Sequence, residues 1–262
     1  MDGVGEQMMK AVILAGGKGT RISEESVLRP KPMIEIGGKP ILWHIMKHYE
    51  AYGITEFVIC CGYKGNLIKK YFVEQIRCQS DLVSDLSAPG ISDSLFAKEK
   101  WKITLVDTGR DTLTAGRILK VRKYVDGAPF FLTYGDGVSN IDLDRLLKFH
   151  EKQHTVTTIS VTKPTGRFGG VDLTEATGLV HGFREKARQD QAWVNIGYMV
   201  MEPQIFEYLS DGNSMLEGEP FERLVRDRQM SAYRHEGFWS PMDTIHDREY
   251  LEELYRRQEA VW

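Results

Sequence analysis

The chain has 262 residues, 42% of them hydrophobic and 27% charged, and a formal net charge of −3 at pH 7. This length accommodates one large domain or two small ones with a substantial apolar core. The slightly negative charge argues against a nucleic-acid-binding protein, which usually carries a basic excess. No apolar run approaches the roughly 20 residues that cross a bilayer. We therefore expect neither nucleic acid nor a membrane as a partner.

The first residues and the cysteines indicate where the folded part begins and in which compartment it lies. Residues 1–8 are polar and lack the apolar core of a signal peptide, so they are predicted to be an extension before a single domain over 9–262. The three cysteines at 60, 61 and 78 give no disulfide framework, because their number is odd and two are adjacent. We expect buried thiols and a reducing cytoplasm.

The first predicted strand, 10–15, ends in a glycine-rich loop. Residues 14–21 are Leu-Ala-Gly-Gly-Lys-Gly-Thr-Arg. Backbone N–H groups in such a loop approach phosphate closely because glycine has no Cβ, and Lys18 and Arg21 add positive charge. The stretch predicts a polyphosphate site, and an ordinary tight turn is the alternative.

Two common phosphate-binding motifs do not fit this loop. A Walker A motif needs Lys-Ser/Thr directly after its last glycine, but Gly19 is followed by Thr20 and Arg21. A dinucleotide motif that starts at Gly17 would need glycine at the position of Ile22. The sequence therefore does not support a dehydrogenase.

Further β-rich apolar segments alternate with helical patterns along the chain. Strands are predicted at 56–61, 102–106, 129–134, 155–161 and 196–201, and helices at 40–52, 64–76, 142–152, 203–209 and 247–258. This alternation predicts an α/β fold with a mostly parallel central sheet flanked by helices. Ligands of such folds lie beyond the carboxyl ends of the strands. The polar stretch 79–100 interrupts the alternation and is predicted to be a loop excursion.

Two aspartates that are distant in the chain are candidate metal ligands. Asp136 lies between two glycines after the strand 129–134, and Asp243 precedes the last predicted helix. Each has an ordinary alternative explanation, a turn residue for Asp136 and a helix N-cap for Asp243. Mg²⁺ usually takes one or two carboxylates together with phosphate oxygens. Beside a polyphosphate loop, the pair therefore predicts a Mg²⁺ site.

The histidines and serines do not predict a second kind of site. His44 and His48 have the i, i+4 spacing of metal ligands, but no third ligand lies nearby in the sequence. They are predicted to be surface residues of an amphipathic helix. Ser26 and Ser240 have no recognisable histidine–aspartate arrangement, so nucleophilic hydrolysis is not supported.

Five motifs between residues 16 and 244 occur together and in a fixed order. They are Gly16-Gly17-x-Gly19-Thr20-Arg21, Lys31-Pro32-Met33, Tyr134-Gly135-Asp136-Gly137, Phe183-Arg184-Glu185-Lys186 and Pro241-Met242-Asp243-Thr244. In this combination the chain resembles the sugar-1-phosphate nucleotidyltransferases. Further runs, at 39–47, 58–65, 104–109, 166–169 and 237–239, resemble more closely the glucose-1-phosphate cytidylyltransferase branch of that family, and the likeness covers roughly residues 9–250. The resemblance implies a Rossmann-like nucleotidyltransferase fold with a small sugar-binding β subregion. It also implies the Mg²⁺-dependent conversion of CTP and a sugar 1-phosphate into a CDP-sugar and pyrophosphate.

The resemblance further implies roles for individual residues. The catalytic residues would be Arg21, Lys31, Asp136 and Asp243, and the two aspartates would also be the metal ligands. Contacts with the nucleotide are implied for Leu14, Ala15, Gly16, Gly17, Gly19, Thr20, Arg21, Gly62, Tyr63, Thr108, Thr112, Arg117, Gly135 and Asp136. Contacts with the sugar are implied for Glu185, Lys186 and Asn195.

The departures from the family pattern fall on the sugar side. Ala187 replaces the proline that usually follows Lys186, and Ile196 replaces a glycine that usually follows Asn195. A branched side chain at 196 is expected to reshape the sugar pocket. The open alternatives are UTP or dTTP as the nucleotide, another sugar 1-phosphate, and a catalytically weak regulatory protein that binds nucleotide sugars. The resemblance and the excursion at 79–100 also indicate a homo-oligomer such as a hexamer.

Overall fold

The computed structural model describes residues 9–19, 29–78, 82–84, 91–93, 100–125, 127–163, 170–173, 180–184, 192–210 and 213–262. The strands in these ranges are β1 (Lys10–Ala15), β2 (Glu35–Ile36), β3 (Lys39–Pro40), β4 (Glu56–Cys61), β5 (Leu82–Ser84), β6 (Ile91–Asp93), β7 (Lys102–Asp107), β8 (Phe130–Tyr134), β9 (Gly137–Ser139), β10 (Thr157–Thr162), β11 (Gly170–Leu173), β12 (Val180–Arg184), β13 (Val194–Met201), β14 (Met230–Arg234) and β15 (Trp239–Pro241). The α-helices are α1 (Ile41–Glu50), α2 (Gly65–Cys78), α3 (Thr114–Val121), α4 (Leu143–Gln153), α5 (Ile205–Tyr208), α6 (Glu219–Arg226) and α7 (Ile245–Arg256).

Seven strands form a central sheet in the order β14-β10-β13-β8-β1-β4-β7. Neighbouring strands are parallel except at β13, which is antiparallel to both β10 and β8. The remaining described strands pair two by two, as β2 with β3, β5 with β6, β9 with β15 and β11 with β12. The prediction of a mostly parallel sheet flanked by helices is therefore confirmed.

The strand order reverses beside β1. From β1 the chain moves outward to β4 and then to β7, and it returns through α3 to β8 on the other side of β1. The loops that follow β1 and β8 therefore leave the sheet side by side at its carboxyl edge. Open α/β sheets bind ligands at such a reversal point.

The side chains of β1 alternate between two apolar cores. Ala11, Ile13 and Ala15 pack in the core that α1, α2, α4 and α7 complete. Val12 and Leu14 pack in the core that α3, α5 and α6 complete. A strand buried on both faces is a continuous apolar run, which is why this strand is recognisable in the sequence.

Some elements differ from the prediction. Helices α3 and α6 are not predicted, and the segment 203–209 contains only the four-residue helix α5. Within the excursion 79–100, β5 and β6 pair as an antiparallel hairpin, while 79–81, 85–90 and 94–99 lie outside the described residues. No described helix has the length and apolar character to span a membrane. The assignment of 9–262 to a single domain stays a prediction.

The adjacent cysteines of β4 are free, buried thiols, as expected. Burial raises the pKa of Cys61 to about 11, and it raises the pKa of Cys60 further. Because the thiolate is the reactive form, neither side chain is a nucleophile near neutral pH. The side chain of Cys78 lies outside the described residues.

The histidines of α1 are buried, so the prediction that they are surface residues is wrong. The Nε2 atom of His44 lies 2.8 Å from the carbonyl oxygen of Ile36, and that of His48 lies 2.8 Å from the carbonyl oxygen of Ile141. Seven of the ten residues of α1 are buried. The buried surface of this helix is thus too broad for one amphipathic stripe.

Burial of histidines predicts that the protein loses stability in mild acid. Burial lowers the pKa of His44, His48, His150 and His235, so the unfolded state binds more protons than the folded state below the usual pKa of about 6.5. The free energy of unfolding should therefore fall as the pH falls from about 6.5, by up to about 1.4 kcal/mol per histidine by pH 5.5. Urea denaturation at pH 7.5 and 5.5 measures this change.

A matched pair of variants separates this effect from general acid sensitivity. His48→Gln should reduce the difference between the free energies of unfolding at the two pH values. His246→Gln, at an exposed position, should leave that difference unchanged. Equal free energies of unfolding at pH 7.5 and 5.5 in the unmodified protein would contradict the interpretation.

Candidate active site

The glycine-rich loop after β1 lies against a buried arginine. A Cβ at Gly16 or at Gly62 would overlap the guanidinium of Arg117, so both positions require glycine. Gly19 has a φ of 61°, in the left-handed region that favours glycine. The backbone N–H of Tyr63 donates to the carbonyl of Gly16 over 3.1 Å, which joins the loop after β4 to the loop after β1.

Arg117 connects three loops at the carboxyl edge of the sheet. Its Nη2 donates to the carbonyl oxygen of Gly16 at 2.9 Å, and its Nη1 donates to Thr108 Oγ1 at 2.6 Å and to the carbonyl oxygen of Gly109 at 2.9 Å. Thr108 Oγ1 in turn donates to the carbonyl of Cys61 at 2.6 Å. Burial lowers the pKa of Arg117, but a guanidinium keeps its charge in proteins. The loops after β1, β4 and β7 are therefore held by one cation.

The two predicted metal ligands are brought together by strand pairing. Strand β9 begins directly after Asp136, strand β15 ends shortly before Asp243, and Gly137 pairs with Pro241 in the antiparallel register. The backbone N–H of Met242 also donates to the carbonyl of Asp136 over 2.8 Å. This pairing places both carboxylates at the same edge of the central sheet.

Thr244, not Asp243, is the N-cap of α7. The N–H of Asp247 donates to Thr244 Oγ1 at 3.1 Å, and the Asp247 carboxylate accepts the N–H groups of Thr244 at 2.9 Å and of Asp243 at 3.0 Å. This capping box fixes the backbone at the start of the helix. The N-cap alternative for Asp243 is therefore wrong, and its carboxylate is directed to the candidate site.

Lys31 connects the two aspartates. It begins a single 3-10 turn, Lys31–Met33, and its side chain is only 9% exposed. The Nζ atom lies 2.7 Å from Asp136 Oδ2 and 2.6 Å from Asp243 Oδ1. Burial lowers the pKa of Lys31, but the two carboxylates raise it by more, and the pKa is raised overall. Lys31 therefore carries a positive charge at neutral pH.

The donor atoms around Lys31 fit a divalent cation. One oxygen from each aspartate faces the same point, which the ammonium nitrogen now occupies. Mg²⁺ binds proteins through one or two carboxylates and completes its coordination with water and phosphate oxygens. Among the described residues, no group of three or more His, Cys, Asp or Glu side chains lies together. The two carboxylates would accordingly supply only part of the coordination of a metal, and water or the phosphates of a ligand would complete it.

A cleft with a volume of ≈ 570 Å³ runs between the glycine loop, the start of α3 and the loop after β8. This volume is in the range of roughly 300–1,000 Å³ that is typical of small-molecule sites. Its lining includes backbone of the loop after β1 and charged side chains. The lining residues are Leu14, Ala15, Gly16, Gly17, Lys18, Gly19, Lys31, Pro32, Thr112, Leu113, Thr114, Arg117, Tyr134, Gly135, Asp136, Met215, Glu217 and Asp243.

The cleft brings together most of the residues predicted to contact a nucleotide. Those that line it are Leu14, Ala15, Gly16, Gly17, Gly19, Thr112, Arg117, Gly135 and Asp136. Three of the predicted residues do not line the cleft but lie against Gly16 or Arg117; they are Gly62, Tyr63 and Thr108. Thr20, Arg21, Glu185 and Lys186 lie outside the described residues. The roles of all these residues stay predictions.

The predicted sugar residues are only partly described. The Asn195 side chain accepts the N–H of Gly197 at 2.9 Å and does not line the cleft. Ile196 is 4% exposed and packs in the apolar core with Tyr198 and Val200. The Ile196 side chain is therefore part of the core, and its effect on a sugar pocket stays a prediction.

Several residues of the cleft were not predicted from the sequence. The Tyr134 hydroxyl donates to one oxygen of Glu217, and Thr114 Oγ1 donates to the other at 3.1 Å. Glu217 thereby joins the end of β8 to the start of α3. Met215 and Leu113, which are 50% and 39% exposed, lie at the rim. Tyr134 directly precedes Gly135 and could have been found from that position, but 213–217 shows no pattern that indicates a site.

An exposed ion pair joins the glycine loop to the loop after β7. Lys18 Nζ lies 2.7 Å from Asp111 Oδ1, and the two side chains are 55% and 69% exposed. Exposed pairs of this kind stabilise a fold by only about 0–1 kcal/mol. The contact therefore shows where the Lys18 ammonium lies rather than what holds the loop in place.

The protein has an open α/β fold with a glycine loop at the point where the strand order reverses. This loop faces two paired carboxylates, an arrangement suited to binding a polyphosphate. Residues 10–250 match the nucleotidyl transferase family, and the chain belongs to that family. The protein is therefore a nucleotidyltransferase.

The comparisons include relatives that match nearly the whole chain. The glucose-1-phosphate cytidylyltransferase of Salmonella typhimurium is 44% identical over 97% of this chain and 98% of its own length. A Bacillus subtilis protein described as a "probable glucose-1-phosphate cytidylyltransferase" is 44% identical over 97% of this chain and 99% of its own. The crystal structure of HddC from Yersinia pseudotuberculosis complexed with GMP-PN has a TM-score of 0.68 at 22% identity, covering 95% of this chain and 100% of that chain. This last likeness supports the fold alone.

Proposed function

We propose that this protein transfers the cytidylyl group of CTP to a sugar 1-phosphate, α-D-glucose 1-phosphate in the first instance, and releases pyrophosphate. The observation that carries the proposal is the cluster of Lys31, Asp136 and Asp243 at the end of the glycine-loop cleft. The choice of CTP and glucose 1-phosphate is supported by the 44% identity, over nearly the full chain, to relatives described as a glucose-1-phosphate cytidylyltransferase and a probable one.

The reaction needs no covalent intermediate with the protein. An oxygen of the sugar phosphate attacks the α-phosphorus of CTP in line, a new phosphorus–oxygen bond forms, and the bond to the β-phosphate oxygen breaks as pyrophosphate leaves. No general base is required, because a phosphate monoester with a second pKa of about 6 is largely dianionic near pH 7. Catalysis then depends on positioning and on stabilisation of negative charge.

The residues divide these tasks by their position and charge. Gly16, Gly17 and Gly19 offer backbone at the cleft for the triphosphate. Lys31 approaches the α-phosphate or the incoming sugar phosphate, and Arg21 holds the leaving pyrophosphate through its two-pronged guanidinium. Asp136 and Asp243 would hold Mg²⁺, which neutralises negative charge on the reacting phosphates when bound.

The sugar side of the site is assigned by the family pattern. Lys186 holds the sugar phosphate, and Glu185 and Asn195 contact sugar hydroxyls. An oligomer of identical chains and a cytoplasmic location also stay predictions, the first from family resemblance and the second from the use of cysteine.

A matrix of nucleoside triphosphates and sugar 1-phosphates tests this function. CTP, UTP, dTTP, GTP and ATP are each combined with glucose, mannose and galactose 1-phosphates in the presence of Mg²⁺, and released pyrophosphate is measured. CTP with glucose 1-phosphate should give the highest kcat/KM. Reactions without a sugar phosphate control for simple hydrolysis of the nucleotide.

The possible outcomes separate the alternatives. A higher kcat/KM with UTP or dTTP would overturn the nucleotide assignment, and a higher value with another sugar would overturn the acceptor. If no combination releases pyrophosphate but calorimetry shows that CTP still binds, the protein would be interpreted as a nucleotide-binding regulatory protein and not as an enzyme.

A further inference from the structure

The Lys31 ammonium occupies the position between the carboxylates that a divalent cation would take. Its Nζ atom donates to two carboxylate oxygens, one from Asp136 at 2.7 Å and one from Asp243 at 2.6 Å. The lysine side chain is 9% exposed, and the aspartates are 38% and 23% exposed. A positive charge placed this closely neutralises much of the mutual repulsion of the two acids.

The cluster cannot hold the ammonium and a metal ion at the same point. A metal that binds both oxygens must displace the Lys31 Nζ atom, and in the absence of other anions the displaced ammonium would remain beside a dication in a partly buried site. Like charges in such surroundings repel strongly. Metal binding to the protein alone is therefore opposed by Lys31.

A nucleotide removes this opposition. The triphosphate adds several negative charges beside the glycine loop, and the displaced ammonium can pair with them. The backbone at Lys31 is restrained by Pro30 and Pro32 on either side of it in the 3-10 turn, while the lysine side chain has four flexible methylene groups. Only the side chain has to move.

We infer that Lys31 is the resting counter-cation of the Asp136–Asp243 pair and that it excludes divalent metal from the site until a nucleotide polyphosphate arrives. This inference rests on the proposed function, because it uses the same acidic pair and the same cleft. It adds an order of events: Lys31 leaves the carboxylates as the metal and nucleotide enter, and it moves to the phosphates. The same lysine thus neutralises the acidic pair in the protein without ligand, and it binds phosphate in the protein with metal and nucleotide.

Metal binding without nucleotide tests the inference. The probe is Mn²⁺ alone, with binding followed by calorimetry and by the electron paramagnetic resonance signal of free Mn²⁺. Lys31→Met should bind Mn²⁺ at least about tenfold more tightly than the unmodified protein, a change that corresponds to only ~1.4 kcal/mol. Millimolar Mn²⁺ should also raise the melting temperature of Lys31→Met but not that of the unmodified protein.

Three further variants make the result specific. Lys31→Arg keeps a cation between the acids and should bind Mn²⁺ as weakly as the unmodified protein. Lys31→Met combined with Asp136→Asn should lose the gained binding. Lys47→Met removes a lysine from an ion pair with Glu50 on α1 and should leave Mn²⁺ binding unchanged. Circular dichroism establishes that each variant is folded, and Lys31→Gln replaces Lys31→Met if that protein does not fold.

The outcomes of this test and of the pyrophosphate assay are independent. If the unmodified protein releases pyrophosphate but Lys31→Met binds Mn²⁺ no more tightly than the unmodified protein, the inference is overturned and the proposed function stands. If Lys31→Met gains Mn²⁺ binding but no combination of substrates reacts, the exclusion of metal by Lys31 stands and the proposed function is overturned.

Discussion

Asp136→Asn should lower turnover of CTP and glucose 1-phosphate on the order of 10²–10³-fold, the usual effect of removing one group that stabilises charge in a transition state. Asp136 contributes one of the two carboxylate oxygens that contact Lys31, so the change removes half of the candidate metal site while keeping the shape of the side chain. The loss should be similar for every sugar phosphate tested, because Asp136 acts at the nucleotide phosphates. Initial rates of pyrophosphate release measure it.

The control for this prediction is an aspartate outside the site. Asp144 is exposed in the first turn of α4, and Asp144→Asn should have the turnover of the unmodified protein. Circular dichroism and urea denaturation establish whether Asp136→Asn is folded. Turnover within threefold of the unmodified value in a folded Asp136→Asn protein would remove Asp136 from the catalytic site.

Arg117→Met should lower the free energy of unfolding by roughly 2–4 kcal/mol, because it removes several hydrogen bonds that a largely buried charged donor makes. The carbonyl groups of Gly16 and Gly109 and the hydroxyl of Thr108 would each lose a hydrogen bond. The glycine loop would also lose its support, so the affinity for CTP should fall along with stability. Urea denaturation and calorimetric titration of CTP measure the two effects.

Two further variants help to distinguish this support of the loops from a direct contact between Arg117 and the base of the nucleotide. Arg117→Lys keeps the charge but reaches fewer acceptors, so its stability should lie between those of Arg117→Met and the unmodified protein. Arg226, which is exposed on α6, supplies the control, and Arg226→Met should be neutral. Unchanged stability of Arg117→Met, with an altered preference among nucleotides, would show that the guanidinium acts on the base and not on the loops.

The sequence predicts those elements whose burial is visible in the order of their own apolar and polar side chains. Strand β1 is apolar throughout because both of its faces are buried, and the predicted segment 10–15 has the observed bounds. Helix α3 was missed because it has only eight residues and buries Gly116 and the charged Arg117. The histidines of α1 were placed wrongly because a helix that is buried on more than one side no longer distinguishes polar from apolar positions.

The candidate site could be predicted in its components but not in its connections. The types of residue at 136 and 243 indicate a metal site, and both do meet at the carboxyl edge of the sheet. Their common contact with Lys31 depends on the pairing of β9 with β15 and on the capping box at Thr244. Neither feature has a signature that relates it to residue 31, so only the tertiary structure shows the cluster.

The separation of Lys31 from Asp243 by 212 residues also bears on how the protein is made. At translation rates of about 5–20 residues per second, roughly 10–40 s pass between synthesis of the lysine and synthesis of its second partner. In the second half of that interval, after Asp136 has been made 105 residues beyond the lysine, the nascent chain on the ribosome has its phosphate loop and one acid but lacks the other. Newly made molecules therefore acquire the complete ionic cluster only after all seven strands of the central sheet have been synthesised.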